Sequence, residues 1–121
     1  MKEENVILNK TYEFGLRIVK LYLHLRKNKV DVGLCSQLLN SGTSIGANVE
    51  EAIGGSWRKD FINKLSISLK EVHETEYWLR LLYETNYLIK KEYESVLNDC
   101  VEIIKILTSI ILTTKSKLDN A

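Results

Sequence analysis

Proline is absent from all 121 residues. Proline breaks helix interiors and furnishes loops, so its absence suits long helices joined by short turns. Cysteine is nearly as scarce. Cys35 and Cys100 form no close pair and no metal-ligand spacing, so two reduced thiols in a cytoplasmic protein are expected. No apolar run approaches the ~18–20 residues that a membrane span requires, and Met1–Lys10 is too polar for a signal peptide. An excess of one charge is also missing. With 17 Lys and Arg against 16 Asp and Glu, the net charge is +1, which argues against a strongly basic nucleic-acid binder and against an acidic mimic.

What is present is a globular composition, 45% hydrophobic and 27% charged, in a length that suits one domain spanning 1–121. Gly33 and the pair Gly54-Gly55 mark two breaks, and Asn86 before Lys90-Lys91 marks a weaker third. Four segments of helical period lie between them. The first, about Glu4–Lys29, carries Phe14, Ile18, Leu21, Tyr22 and Leu25 on one stripe. Leu16, Val19 and Leu23 form a second row on it. The second segment, about Leu34–Ile53, sets Leu38, Gly42, Ile45, Val49 and Ala52 at spacings of 4, 3, 4 and 3. One residue behind runs a mostly short, polar stripe of Gln37, Ser41, Ser44, Asn48 and Glu51.

The third segment, about Trp57–Thr85, holds Leu65, Leu69, Val72, Leu79 and Leu82, with Glu76 where the heptad wants an apolar residue. Ser56 is placed to cap its start. Asp60/Lys64, Lys70/Glu74 and Glu76/Arg80 stand at i,i+4, the spacing of helical ion pairs. The fourth, about Lys90–Lys117, has a seam of Leu97, Cys100, Ile104, Leu107 and Ile111 beside a second row of Val96, Ile103 and Ile110. These patterns predict an all-α, up-down-up-down four-helix bundle. The surplus apolar rows of the first and fourth helices, including Ile106 and Leu112, predict that bundles associate through those helices.

Catalytic chemistry finds little footing. Di-metal bundles use Glu-x-x-His pairs, but Lys70 and Leu21 occupy the positions that such motifs would need before His73 and His24. No metal and no cofactor is expected. Gly42-Thr-Ser-Ile-Gly46 lacks the Lys-Ser/Thr pair of a phosphate loop. Two glycines inside a helix each cost about 1 kcal/mol relative to alanine, a loss that close approach by a neighbouring helix would offset. The thiols have no adjacent base, and the carboxylates of Glu50, Glu51, Glu71, Glu74 and Glu76 read as ion-pair partners. The chain is expected not to be an enzyme.

Charge is unevenly distributed. Residues 1–33 carry seven Lys and Arg against four Asp and Glu, while residues 34–89 carry five against seven. Lys10, Arg17, Lys20, Arg26, Lys27 and Lys29 form a candidate basic strip on the first helix. Repeated around a ring of copies, such a strip would make a positive band able to hold a phosphate backbone.

The run Leu34–Asn48, LCSQLLNSGTSIGAN, is highly specific. So are Glu51-Ala52, Asp60-Phe61-Ile62, Lys64, Leu69-Lys70-Glu71 and Glu74-Thr75-Glu76-Tyr77-Trp78-Leu79. Together they resemble the 23S rRNA intervening-sequence family of bacterial four-helix bundle proteins. The resemblance implies a bundle that assembles as a homopentameric ring, without catalytic residues to carry over. The related accessory variability proteins of diversity-generating retroelements bind nucleic acid and a reverse transcriptase; this chain departs from them in being near neutral. Gly42, Gly46, Asn48, Glu51, Lys64, Glu71, Glu74 and Trp78 are then expected to form the structural motif, with Asn48 and Glu51 in a buried network with Lys64, Glu71 and Glu74. The expected function is a non-enzymatic oligomeric adaptor. Its partner would be RNA or a nucleic-acid-handling protein, met through Arg17, Lys20, Arg26, Lys27 and Lys29. The alternative is a module for one cognate protein, with no nucleic-acid contact and, in either case, no membrane.

Overall fold

The computed structural model describes residues 2–55 and 58–120, except for the side chains of Glu3 and Arg58. It contains four helices and, among the described residues, no strands: α1 Lys2–Lys27, α2 Val32–Gly54, α3 Arg58–Glu84 and α4 Lys90–Asp119. The expected cap at Ser56 lies outside the described residues.

Neighbouring helices run antiparallel. Gly42 meets Ile18 while Gly46 meets Thr11, so α2 descends as α1 rises. Ser41 bonds Thr75 while Ile45 accepts from Ser68, which reverses the direction again for α3. A five-residue turn returns the chain, and Tyr83 stacks on Tyr93 with ring centroids 4.3 Å apart. The ring of helices closes where Arg17 bonds Asp99 and Lys10 pairs with Glu102. This α1–α4 seam is the most open of the four.

Each helix gives the core one heptad row. On α2, Leu38, Gly42, Ile45, Val49 and Ala52 are all buried, at the positions the spacing marks. On α1 the row extends beyond Phe14 to Thr11 and Ile7. On α4 the seam is rotated from expectation. Cys100, Leu107 and Ile111 of the expected seam are buried, joined by Val96, Ile103 and Ile110 of the second row, whereas Leu97 and Ile104 are only half-buried. Ile103 and Ile110 therefore belong to the core of the single bundle.

The α3 row differs in kind. Ser68 and Thr75, both fully buried, take the places expected of Leu69 and Glu76. Ser68 Oγ donates to the Ile45 carbonyl at 2.8 Å, and the Thr75 and Ser41 hydroxyls bond at 3.0 Å. Buried polar atoms need such partners. These hydroxyls supply them while staying small enough for α2 and α3 to lie close together.

Gly55 caps the end of α2, its N–H on Glu51 O at 3.1 Å, at the break the sequence marks, but the turns after α1 and α3 are built by residues other than glycine. Lys29 and Asn86 have φ of 63° and 70°, while no described glycine has a positive φ. At both places the helix ends in a Schellman motif. Val30 N–H reaches Leu25 O and Lys29 N–H reaches Arg26 O, each at 3.0 Å; Tyr87 and Asn86 repeat the pattern onto Leu82 and Tyr83. Asp31 then caps α2 by accepting from Leu34 N–H at 3.2 Å, which starts the helix before Gly33. Buried Val30 and Cys35 staple that entry from either side of the cap.

The left-handed conformation disfavours a residue with a Cβ by roughly 1–2 kcal/mol, offset in part by the greater unfolded-state entropy of glycine. Lys29→Gly is thus expected to raise stability by about 0.5–1 kcal/mol, read as a higher urea midpoint. An unchanged or lower midpoint would contradict a left-handed Lys29.

Candidate functional site

The specific motif on α2 is a packing device. A Cβ on Gly42 would lie 2.7 Å from Ile18 Cγ2, and one on Gly46 would lie 3.1 Å from the Thr11 carbonyl oxygen. Two glycines thus admit the α1 side chain and backbone at close range, while Ser41 on the adjoining face admits α3.

The expected charged network is not buried. Lys64 Nζ stands 3.5 Å from Glu51 Oε1, with the Glu51 side chain largely exposed. Asn48 turns its amide back onto the Ser44 carbonyl at 2.8 Å, and Glu74 is exposed. Glu71 is half-buried; burial raises its carboxyl pKa, the Glu74 charge adds to this, and Lys70 opposes it. The Trp78 indole N–H is buried without an acceptor among the described residues, and its ring meets Tyr77 edge-on at 5.0 Å. The α2–α3 polar contact that is buried consists of hydroxyls. Arg80 pairs with Glu84, and Glu76 with His73, in place of the expected Glu76–Arg80 bridge.

The basic strip divides into used and unused cations. Arg17 Nη1 donates to Asp99 at 2.9 Å and Nη2 to Ser95 Oγ at 2.8 Å, with Glu92 at 3.7 Å. Lys10 pairs with Glu102. Arg26 Nη1 donates to the Val30 carbonyl at 2.7 Å and so finishes the first turn. Lys20, Lys27 and Lys29 are exposed, with no ion pair among the described residues. Two of the six positions thus close the α1–α4 seam, one closes a turn, and three are left facing solvent.

An apolar face lies on α1 away from the core. Tyr12, Leu16, Val19 and Leu23, at spacings of 4, 3 and 4, are 61%, 45%, 38% and 59% exposed. Tyr12 extends the second row read in the sequence by one step. Beside these residues a groove of about 350 Å³ runs between α1 and α2, with Gly15, Gly46 and Ala47 in its walls. Outer apolar groups elsewhere are more scattered, such as Val101 and Leu112 on α4.

Both thiols are buried and free. Burial pushes Cys100 up to about 12, and Cys35 is raised for the same reason, which is the opposite of nucleophile activation. Among the described residues, no three His, Cys, Asp or Glu side chains stand together as metal ligands. No described helix is long and apolar enough to cross a membrane.

Known proteins add the following. Residues 3–109 match the sequence model of a family described as 23S rRNA-intervening sequence protein. A crystal structure from Bacteroides thetaiotaomicron VPI-5482, described as a protein with unknown function from the S23 ribosomal protein family, is similar in fold. It superposes with a TM-score of 0.87 at 53% identity, covering 90% of this chain and 97% of its own. No curated protein matches the chain.

Proposed function

The chain belongs to the 23S rRNA-intervening sequence protein family, and on that premise we propose that it acts without catalysis, as a homo-oligomeric scaffold joined through the outer face of α1. The observation that carries this reading is the exposed row Tyr12, Leu16, Val19 and Leu23 beside the Gly15–Gly46 groove. Contiguous apolar surface of this kind marks an interaction site. A glycine-lined groove accepts a neighbouring side chain without a Cβ in the way. The five-membered ring implied by the family resemblance gives the expected size. Sedimentation at micromolar concentration should yield a particle near five times 14.0 kDa. A stable monomer would sink the proposal.

A second reading is favoured by Lys20, Lys27 and Lys29, whose charges no described carboxylate neutralises. Repeated in each subunit, they would face the phosphates of an RNA or ribonucleoprotein partner. Arg17 and Arg26, engaged within the fold, add little to such a surface.

A further inference from the structure

A cleft of about 500 Å³ opens at the end of the α1–α4 seam, beneath the turn that joins α3 to α4. Its walls differ chemically. Arg17, Lys20 and His24 line the α1 side, Tyr87 and Ile89 the turn side, and the buried Leu21 and Leu88 form the floor. We infer that this cleft takes a nucleoside phosphate, its base against Tyr87 and Ile89 and its phosphate against Lys20 and His24. The inference rests on the reading of Lys20 and Lys27 as phosphate-facing and assigns a ligand class to that surface.

The turn side supports a base. Tyr87 is 52% exposed and Ile89 72%, the latter the most exposed large apolar side chain of those described. They sit on an ordered turn. Tyr87 N–H is tied to Leu82 O at 2.8 Å, Asn86 takes the left-handed conformation, and Ile89 O accepts the Tyr93 N–H. The ring is therefore presented from a fixed backbone, which lowers the entropy lost when a flat heteroaromatic group stacks on it. Single-stranded nucleic acids are held by this combination of aromatic platform and cationic wall. The volume falls within the ~300–1,000 Å³ of ordinary small-ligand sites.

The α1 side fixes where the phosphate goes. Asp99 and Glu92 take up the charge of Arg17, and Glu92, which also lines the cleft, would repel an anion beside it. Lys20, one turn farther along, has no such partner among the described residues, and His24, whose ring Nε2 faces the Asn28 amide at 3.3 Å, and Lys27 continue its line at spacings of 4 and 3. The phosphate thus belongs at the Lys20–His24 end, and a strand would continue towards Lys27. An acidic peptide without aromatic residues has the charge for this wall but not the flat ring for the other.

The test uses the full chain in titration calorimetry. The probes are AMP, a single-stranded oligoadenylate of six nucleotides, and a hexaglutamate peptide of similar charge. Wild type is compared with Tyr87→Ala, Lys20→Gln and the pair Lys27→Gln/Lys29→Gln, with melting curves recorded for each. Tyr87 lies outside the core, so its variant should melt as the parent does. The expected result is adenylate binding that falls about tenfold in Tyr87→Ala, the value of a lost stacking contact, and falls also in Lys20→Gln. Binding of AMP alone with these losses identifies a free nucleotide as the ligand; binding of the oligomer only identifies a nucleotide within a strand. Should the oligomer bind and weaken with the lysine variants while Tyr87→Ala changes nothing, the cleft is refuted and the phosphate-facing surface stands. Absence of any adenylate binding overturns both. Tyr87-dependent binding of hexaglutamate in preference to adenylate makes the cleft a peptide site and overturns the inference.

Discussion

Leucine in place of Gly42 should lower the stability of the chain by about 3 kcal/mol or more, at the upper end of the usual range for overpacking. A Cβ alone at this position would approach Ile18 Cγ2 and Cγ1 to 2.7 and 2.8 Å. Ile18 cannot swing aside, since it is fully buried and β-branched side chains have one strongly preferred rotamer in a helix. Relief must come from moving α1 away from α2, which loosens the contacts of Thr11 and Phe14 as well. Gly46→Leu should act in the same direction, because its Cβ would meet the Thr11 backbone carbonyl at 3.1 Å. Gly15 provides the contrast. It is also helical, but its Cβ would have nothing within 4 Å, so Gly15→Ala should stabilise the isolated bundle by up to about 1 kcal/mol through helix propensity. Urea unfolding of the three variants distinguishes these effects, and a Gly42→Leu protein that melts like the parent would contradict the packing. In the assembled protein the proposed subunit contact at this groove reverses the sign, so Gly15→Ala should there lose stability, and a gain at every protein concentration would place the contact elsewhere.

The residues that the sequence reads well are those whose role depends on their own helix. Leu38, Gly42, Ile45, Val49 and Ala52 have a single apolar spacing to follow, and all are buried. Helix α4 has apolar residues on two adjacent rows, so periodicity alone could not choose its inward face. The choice of Val96 and Ile103 over Leu97 and Ile104 is made by what α1 and α3 present to it. Ser68 and Thr75 look polar in a one-dimensional pattern, yet Ile45 O and the Ser41 hydroxyl satisfy them in the core. Arg17 reads as surface charge because Glu92, Ser95 and Asp99 lie more than 70 residues away in sequence and become its partners only when α4 returns alongside α1. The candidate cleft was illegible for the same reason. Lys20 and Tyr87 gain a shared site only from the closing of the bundle.

The double variant Leu16→Glu/Leu23→Glu should convert the assembled protein to monomer while leaving each bundle helical. Leu16 and Leu23 are 45% and 59% exposed in the single chain, so glutamate at either position meets solvent there and costs the core nothing. Between subunits the balance reverses. Each leucine, already about half covered in the single chain, gains about 1 kcal/mol when association covers the rest, and a carboxylate in its place must be desolvated without a partner. Symmetry repeats that penalty in every subunit and sets like charges near one another. The expected readings are unchanged helical circular dichroism at low temperature and a sedimenting mass reduced from near five times 14.0 kDa to one. The melting temperature should fall, and lose its dependence on protein concentration, because assembly no longer stabilises the folded chain by mass action. Ile103→Glu is the informative comparison. Ile103 is fully buried, so that charge should unfold the bundle itself and not merely separate its copies. If the α1 double variant keeps the parent mass, the association face lies elsewhere, and Leu112, 62% exposed on α4, is the next position at which a glutamate should dissociate it.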